Sequence, residues 1–320
     1  MDGALEAETE VEWRSWTIAE AQHGWRLDRA LAECVPEFSR SYLQQLIEAG
    51  AVLRGSVPLT KTSMRVKAGD QGLIELRPTP QSQAFKPQAM DLAVVYEDEY
   101  LLVISKPAGL VVHPAPGHWS GTLLNGLLAR DPKAANLPRA GIVHRLDKDT
   151  SGLMVVARTR ATMDALVELI ARREVRRIYL ALAQEPWLNT RMRDVDAAIG
   201  RDPRNRLRMA VVDPLRNPGK TAKTTFELLE NAADTCLLQC TLHTGRTHQI
   251  RVHLASIGHP IVADALYGGT PAAGLLRQAL HATRLAFKHP VSGAQLNFQA
   301  PLPADFRQAI LTLGLGYNAP

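Results

Sequence analysis

The spacing of apolar positions predicts two helices and short strands in the first quarter of the chain. Apolar side chains fall on one face between Leu27 and Cys34, and Pro36 ends that helix. The next helix has Ser39 as its N-cap, an apolar stripe at positions 43, 46 and 47, and Gly50 just beyond its end. Short strands are expected at residues 51–53 and 73–76, with a turn at 54–56.

The pattern after residue 90 is dominated by strands. Strands are expected at residues 92–96, 101–105, 153–157, 178–183, 224–229 and 236–242, and helices at 122–128 and 162–172. Because strands outnumber helices and often follow one another directly, the pattern favours an α+β fold. Its sheet should be mixed and mainly antiparallel, flanked by helices and loops, rather than doubly wound and parallel.

One later segment allows two interpretations. Ile250, Leu254 and Ile257 follow a helical spacing, and Gly258 and Pro260 supply a stop signal. A helix is therefore favoured. The alternative is a strand with residues 250, 252 and 254 facing inward.

Composition shifts divide the chain into five segments. Residues 1–20 carry six acids and one base, which predicts a mostly flexible acidic leader in which Trp13 and Trp16 are available to dock on another surface. Residues 77–90 are rich in Pro and Gln and lack periodicity, which predicts a linker. The expected order is leader 1–20, small domain 21–76, linker 77–90, larger domain 91–312 and tail 313–320.

Charge and cysteine content narrow the possible partners and the compartment. The net charge is +5, and setting the acidic leader aside leaves +10 for residues 21–320, which is compatible with a polyanionic partner. No apolar run is long enough to span a bilayer. The three cysteines lack metal-ligand spacing, and Cys236 and Cys240 alternate with leucines as on one core face of a strand. A reducing cytoplasm fits this usage.

Histidines recur every five residues at positions 243, 248 and 253, which suggests a metal site at first sight. On a helix, side chains five residues apart point about 140° away from each other. They cannot converge on one zinc ion there, so we expect no metal.

Asp147 lies in a loop of charged and turn-forming residues directly before an apolar strand. Residues 141–157 read Gly-Ile-Val-His-Arg-Leu-Asp-Lys-Asp-Thr-Ser-Gly-Leu-Met-Val-Val-Ala. A loop held by a rigid strand is a common place for reactive groups. The string resembles the catalytic motif of RluA/RluD-type RNA pseudouridine synthases, which implies that Asp147 is the essential aspartate.

Further segments resemble the same family in its order and spacing. They are Lys106–Pro114, Arg173–Ala181, Thr244–Leu254, Gly258–Ile261 and Asp264–Gly268. The second segment implies an active-site role for Tyr179 and the third for Arg251. The N-terminal module and the full motif at 141–157 make the RluD branch the most similar one.

Residues 24–76 resemble an S4 RNA-binding domain. The resemblance rests on two short helices followed by a basic turn segment with Arg54, Lys61, Arg65 and Lys67. It implies that these four side chains contact RNA. The sequence departs from the family at Leu53-Arg54-Gly55, where Val-Asn-Gly is usual, but Gly55 still permits the positive φ of such a turn.

The resemblance implies an isomerase that converts uridine in RNA to pseudouridine, most similar to enzymes of large-subunit ribosomal RNA. The reaction needs no cofactor. It needs a carboxylate, either as a nucleophile or as a base that takes a ribose proton. Because burial disfavours a charged carboxylate, we expect Asp147 to pair with the guanidinium of Arg251. We expect Tyr179 to stack on the uracil or to hydrogen-bond to it.

The target uridine must leave its stack, and basic side chains should hold the RNA backbone while it does so. The candidates are Arg145 near the catalytic aspartate, the Arg172–Arg177 cluster, from which Arg173 and Arg176 are selected, and Arg201, Arg204, Arg206 and Arg208. The expected partner is ribosomal RNA or an assembling large subunit, with neither membrane nor DNA, and the protein is expected to be a monomer.

Two other functions are compatible with parts of the pattern. One is a non-catalytic RNA-binding or ribosome-assembly protein, which the intact Asp147, Tyr179 and Arg251 disfavour. The other is a nucleoside-cleaving glycosidase, which would use a second carboxylate opposite the first. Asp149 is available in sequence, but two residues along a turn it is expected to point elsewhere.

Overall fold

The computed structural model describes residues 12–77, 84–188 and 190–317. These residues form two compact units, one before and one after the boundary between Ala84 and Phe85. That boundary falls within the predicted linker at 77–90.

The first unit is a small sheet covered by two helices. In chain order its elements are β1 (Glu12–Thr17), α1 (Leu27–Cys34), α2 (Arg40–Glu48), β2 (Val52–Arg54), β3 (Val57–Leu59) and β4 (Gln71–Leu76). The strands pair antiparallel in the order β1-β4-β2-β3. The predicted helix signals are confirmed, because the Ser39 side chain accepts a hydrogen bond from the Tyr42 N–H and Gly50 has φ +69° after α2.

The predicted flexible leader is wrong for residues 12–20. Strand β1 pairs with β4 along its whole length, and Trp16 and Ile18 are buried in the core of this unit. Two alternating apolar residues are a weak strand signal. The many acidic residues around them therefore favoured the interpretation as a flexible leader. Residues 1–11 lie outside the described part of the chain.

The second unit is built on a nine-stranded sheet. Its elements are β5 (Val94–Glu97), β6 (Leu101–Lys106), α3 (Leu123–Arg130), β7 (Ser151–Ala157), α4 (Arg160–Ala171), β8 (Arg176–Gln184), β9 (Met192–Asp196), β10 (Ile199–Arg201), β11 (Met209–Val211), β12 (Gly219–Lys220), β13 (Lys223–Asn231), β14 (Thr235–Leu242), α5 (Gln249–Ser256), β15 (Leu280–Lys288), β16 (Gln295–Gln299) and α6 (Ala304–Thr312). The order is β5-β6-β7-β15-β8-β14-β13-β9, with β16 also paired to β15. Strands β10, β11 and β12 form a separate small sheet.

The large sheet is mixed and mainly antiparallel, as the sequence predicts. Among the described strands its one parallel pairing joins β7 to β15. The α carbon of Gly152 lies so close to β15 there that a Cβ would be 2.2 Å from the Ala282 carbonyl oxygen. A side chain at this position would push the two strands apart.

Strand β7 is buried on both faces. Leu153 and Val155 belong to the core beneath α4, whereas Met154 and Val156 belong to the larger core beneath α3. Alternate residues of a strand point to opposite faces, so β7 is covered by apolar side chains on both sides. This burial makes β7 a rigid support for the loop that precedes it.

Both ends of the second unit extend further than the composition suggested. The Asn125 side-chain amide donates to the Lys86 carbonyl at 2.8 Å, so part of the predicted linker is held against α3. In the predicted tail, Leu315 is buried and the Gly316 N–H donates to Glu230 at 2.8 Å. Residues 313–317 are therefore not a free tail. Residues 78–83 and 318–320 lie outside the described part of the chain.

No helix within residues 12–77, 84–188 and 190–317 is long and apolar enough to cross a bilayer.

Candidate active site

The loop that carries Asp147 is fastened to the buried strand that follows it. Within residues 142–150, Ile142 forms an isolated bridge with Val156. The Val155 N–H donates to the Nε2 atom of His144 at 3.1 Å. Leu146, next to the aspartate, is buried in the larger core. The backbone on either side of Asp147 is therefore fixed in position by its contacts with β7 and the core.

Two cations, Lys106 and Arg277, hold the other side of the same loop. The Lys106 ammonium, 1% exposed, donates to three backbone carbonyls, those of Pro107 at 2.8 Å, Leu110 at 2.9 Å and Lys148 at 2.9 Å. The Arg277 guanidinium donates to the Asp149 carbonyl at 2.9 Å. Burial lowers the pKa of Lys106 to about 8, although the charges of Asp149 and Asp147 oppose the shift. The carbonyls of Lys148 and Asp149 are thus held by one fully buried and one partly exposed cation.

Arg251 joins two carboxylates. Its Nη1 donates to Oδ2 of Asp147 at 3.0 Å, while Nε and Nη2 donate to the two oxygens of Asp264 at 2.7 and 2.9 Å. The side chains of Asp147, Arg251 and Asp264 are 15%, 7% and 1% exposed. Burial lowers the pKa of Arg251, but the hydrogen bonds to Asp264 and the charge of Asp147 outweigh burial and raise it above its usual value. The expected pairing of Asp147 with Arg251 is therefore present, with Asp264 as an additional partner.

Helix α5 brings Arg251 to this position, and the helical alternative for residues 250–257 is confirmed. The helix begins after His248, which adopts a left-handed conformation with φ +57°. The Gln249 side chain accepts from the Arg246 N–H at 3.0 Å and donates to the Lys223 carbonyl at 3.0 Å. These contacts tie the first turn of α5 to β13, so Arg251 points inward from the third residue of the helix.

His248 and Tyr267 complete the surroundings of the ion pair. The Nδ1 atom of His248 lies 2.8 Å from the Tyr267 hydroxyl, and its Nε2 atom lies 3.9 Å from Oδ1 of Asp147. Burial lowers the pKa of His248, and the charge of Asp147 opposes that shift. The Tyr267 ring lies 5.0 Å from the guanidinium carbon of Arg251. Oδ1 of Asp147 accepts no hydrogen bond from the described residues, so it can reach a bound molecule.

Asp147, Tyr179 and Arg251 line one cleft of about 410 Å³. This volume lies within the range of pockets that hold small molecules. Tyr179 points into the cleft from β8, and burial raises the pKa of its phenol to about 12, with Arg177 opposing and Asp147 adding to the shift. The phenol therefore keeps its proton at neutral pH and can donate a hydrogen bond.

The predicted RNA-contact residues divide into three groups. Arg145 and Arg173 are exposed and line the cleft. Arg176 does not line it, because β8 turns alternate side chains to opposite faces and directs the neighbouring Arg177 into the cleft instead. Arg176 is exposed outside the cleft, and its contact with RNA stays a prediction. The basic residues of the first unit are all exposed: Arg54, Lys61, Arg65 and Lys67.

Three residues of the site were not selected from the sequence. Asp264 lies in the segment 264–268, which the sequence comparison with the family already marked, so a signal existed. Lys106 lies in another marked segment, but its burial beneath the loop depends on the tertiary fold. Arg177 lies in a run of arginines whose orientation becomes clear only when the strand register is known.

The three evenly spaced histidines each have their own partners. His243 contacts the Thr225 hydroxyl, and His253 contacts the Thr224 hydroxyl and the Ala197 carbonyl. The described residues contain no group of three His, Cys, Asp or Glu side chains that could hold a metal ion.

Comparisons with known proteins agree with this geometry. Residues 100–256 match the RNA pseudouridylate synthase family, and residues 25–71 match the S4 domain. The chain is 46% identical to the ribosomal large subunit pseudouridine synthase D of Neisseria meningitidis serogroup B, over 91% of this chain and 79% of that protein. It is 46% identical to the enzyme of the same name from Xylella fastidiosa, over 94% and 92%, and 44% identical to that of Escherichia coli K12, over 92% of each.

Solved structures show the same relationship. Human RNA pseudouridylate synthase domain containing 4 aligns with a TM-score of 0.56 at 25% identity, covering 71% of this chain and 95% of that one. Human RNA pseudouridylate synthase domain containing 1 aligns with a TM-score of 0.53 at 27% identity, covering 68% and 86%. The chain belongs to the RNA pseudouridylate synthase family and carries an S4 domain in its first unit.

Proposed function

We propose that this enzyme isomerises uridines of large-subunit ribosomal RNA to pseudouridine, with Asp147 as the essential carboxylate. The observation that carries the proposal is a carboxylate held by Arg251 in a cleft that can admit one base. The curated relatives act on the large ribosomal subunit according to their names, which supports the substrate. Such a substrate implies a cytoplasmic enzyme, and a monomer remains our expectation.

The chemistry needs only groups that the cleft contains. The bond between ribose C1′ and uracil N1 breaks, C5 bonds to C1′, C5 loses its hydrogen as a proton and N1 gains one. Nothing is oxidised and no group is imported. Asp147 begins the cleavage through Oδ1, the oxygen that Arg251 leaves free, while Arg251 holds Oδ2 by a charged hydrogen bond.

The uridine reaches this carboxylate by leaving its stack, which costs a few kcal/mol. Tyr179 lies in the cleft as a protonated phenol and contacts the extruded uracil. Arg145 and Arg173, exposed at the same cleft, hold the backbone of the RNA. These contacts offset the loss of stacking.

The glycosidase alternative lacks its second carboxylate. Asp149 does not line the cleft, and its backbone carbonyl is held by Arg277. Both oxygens of Asp264 accept hydrogen bonds from Arg251. Neither carboxylate is placed to activate a water molecule opposite Asp147.

The proposal can be tested with the purified full-length protein and RNA labelled with tritium at uracil C5. Transcripts of large-subunit ribosomal RNA should release tritium to water as pseudouridine forms, and carbodiimide-dependent reverse-transcription stops should then mark the modified uridines. Small-subunit transcripts of matched length are the control and should release none. Absence of release from large-subunit RNA, both as free transcript and in assembling particles, would overturn the proposed function.

The exposed basic residues of the S4 unit are proposed to hold RNA electrostatically. Changing Arg54, Lys61, Arg65 and Lys67 together to Ala should weaken RNA binding and lower the slope of log K against log salt by about 3, at about 0.7–0.9 per phosphate contact. The catalytic step on saturating RNA should be preserved. Filter binding between 50 and 300 mM salt measures the slope.

A matched variant changes four exposed basic residues of the second unit that do not line the cleft, namely Arg160, Arg191, Lys288 and Arg307. It removes the same charge and should keep the wild-type slope. If wild type and the S4-unit variant had equal slopes of log K against log salt, these four side chains would not contribute to RNA binding.

A further inference from the structure

Arg177 is a buried cation that faces the cleft and that the proposed chemistry does not use. It lies two residues before Tyr179 on β8, so both side chains point to the same face of the strand and both line the cleft. Arg177 is only 5% exposed. Its position therefore resembles that of Arg251 in burial.

The two buried arginines differ in their partners. Arg251 holds two carboxylates, whereas the Arg177 side chain makes no hydrogen bond and no ion pair with any residue in ranges 12–77, 84–188 and 190–317. Its Nε atom is fully buried and has no acceptor among them. Burying a charge without a counter-charge is costly, and folds normally pair or hydrogen-bond such groups. The guanidinium therefore lacks an anion.

The surroundings add positive charge rather than neutralising it. Arg173 and Arg246 line the same cleft, and the one acid among the described residues that line it, Asp147, is already paired with Arg251. Burial together with the charge of Arg177 lowers the pKa of His144 to about 3, so that imidazole stays neutral. The unpaired guanidinium thus lies in a cleft suited to an anion from outside the protein.

The backbone leaves room for this guanidinium. A Cβ on Gly245 would lie 2.9 Å from Nη1 of Arg177, closer than side chains normally approach. Gly245 lies in the loop between β14 and α5, which also supplies Arg246 and Thr244 to the cleft. The loop passes close to Nη1 of the guanidinium without providing an acceptor, and Arg177 still lines the cleft.

We propose that Arg177 binds a phosphodiester of the RNA backbone beside the extruded uridine. This inference rests on the proposed function, because that function brings an extruded nucleotide into the cleft. A guanidinium offers a planar fork of N–H donors that matches two phosphate oxygens, and the contact supplies the missing counter-charge. Arg251 then orients the carboxylate and Arg177 positions the nucleotide.

The test combines a protein change with a change in the RNA. Carbodiimide mapping with wild-type enzyme first identifies a modified uridine, and synthetic RNA fragments then carry a neutral methylphosphonate at the phosphate on its 5′ or its 3′ side. Single-turnover rates and dissociation constants are measured for wild type, Arg177→Met and the control Arg307→Met. Arg307 is exposed on α6 and does not line the cleft, and its replacement removes the same charge.

On unmodified RNA, Arg177→Met should lose about ten- to a hundredfold in the single-turnover rate divided by the dissociation constant, as expected for a lost hydrogen bond between charged groups. One of the two methylphosphonates should impose a similar loss on wild type and on Arg307→Met. It should cost Arg177→Met nothing further, because the contact is already absent. Arg177→Lys should recover part of the loss.

Stability separates this role from a structural one. Removing an unpaired buried charge should leave the unfolding temperature of Arg177→Met unchanged or raise it. A lower unfolding temperature, or equal methylphosphonate losses in wild type and Arg177→Met, would overturn the assignment. Wild-type activity on the unmodified fragment tests the proposed function separately, so the two failures are distinguishable.

Discussion

Replacing Asp147 with Asn is expected to abolish pseudouridine formation while RNA binding is retained. The amide has nearly the same shape, and its oxygen can still accept from Arg251 Nη1, which lies 3.0 Å from Oδ2 in the wild type. It carries no negative charge and cannot act as nucleophile or base. Loss of such a group lowers the rate by on the order of a thousandfold or more.

The measurement is a map of carbodiimide-dependent reverse-transcription stops on ribosomal RNA from a deletion strain that expresses the variant. Asp149→Asn is the matched control, because Asp149 lies in the same loop but does not line the cleft. It should restore the wild-type stops, whereas Asp147→Asn should restore none. Wild-type modification by Asp147→Asn would remove Asp147 from the mechanism.

Replacing Arg251 with Met is expected to have a comparable effect on activity and a large effect on stability. The change leaves Asp147 without its guanidinium. It also leaves Asp264, whose side chain is 1% exposed, as a buried carboxylate without a counter-charge. Breaking a buried ion pair by removing one partner costs about 3–5 kcal/mol of folding free energy. The rate should fall by on the order of a thousandfold, because Asp147 is no longer held in its orientation.

A second substitution separates the two effects. Combining Arg251→Met with Asp264→Asn removes the unpaired charge of the buried Asp264 carboxylate. Urea unfolding should therefore show that part of the lost free energy of unfolding returns. Single-turnover activity should remain at the level of the single variant, since neither change restores a partner to Asp147. If activity returned with stability, Arg251 would be a structural residue and not an active-site one.

Much of the local structure follows from side-chain periodicity. The spacing at positions 27–34 and 40–48, the Ser39 cap and the stop after α5 each depend on neighbouring residues, and each is present in the structure. The errors concern segments whose local signal is weak. Trp16 in β1 and Ile18 just after it are only two alternating apolar positions. At the other end of the chain, Leu313, Leu315 and Tyr317 pack on the core but are separated by glycines.

The amino-acid sequence by itself determined the family, the helices and strands with a strong periodicity, and the choice of Asp147, Tyr179 and Arg251 as candidates, because these depend on short-range spacing and on a specific string of residues. Apart from the expected pair of Asp147 and Arg251, only the tertiary structure decided which cations are paired. Asp264 meets Arg251 through the packing of α5, Lys106 is buried beneath the loop of Asp147, and strand alternation directs Arg177 rather than Arg176 into the cleft. Charge pairing depends on distances between segments far apart in sequence, and strand register and burial set those distances.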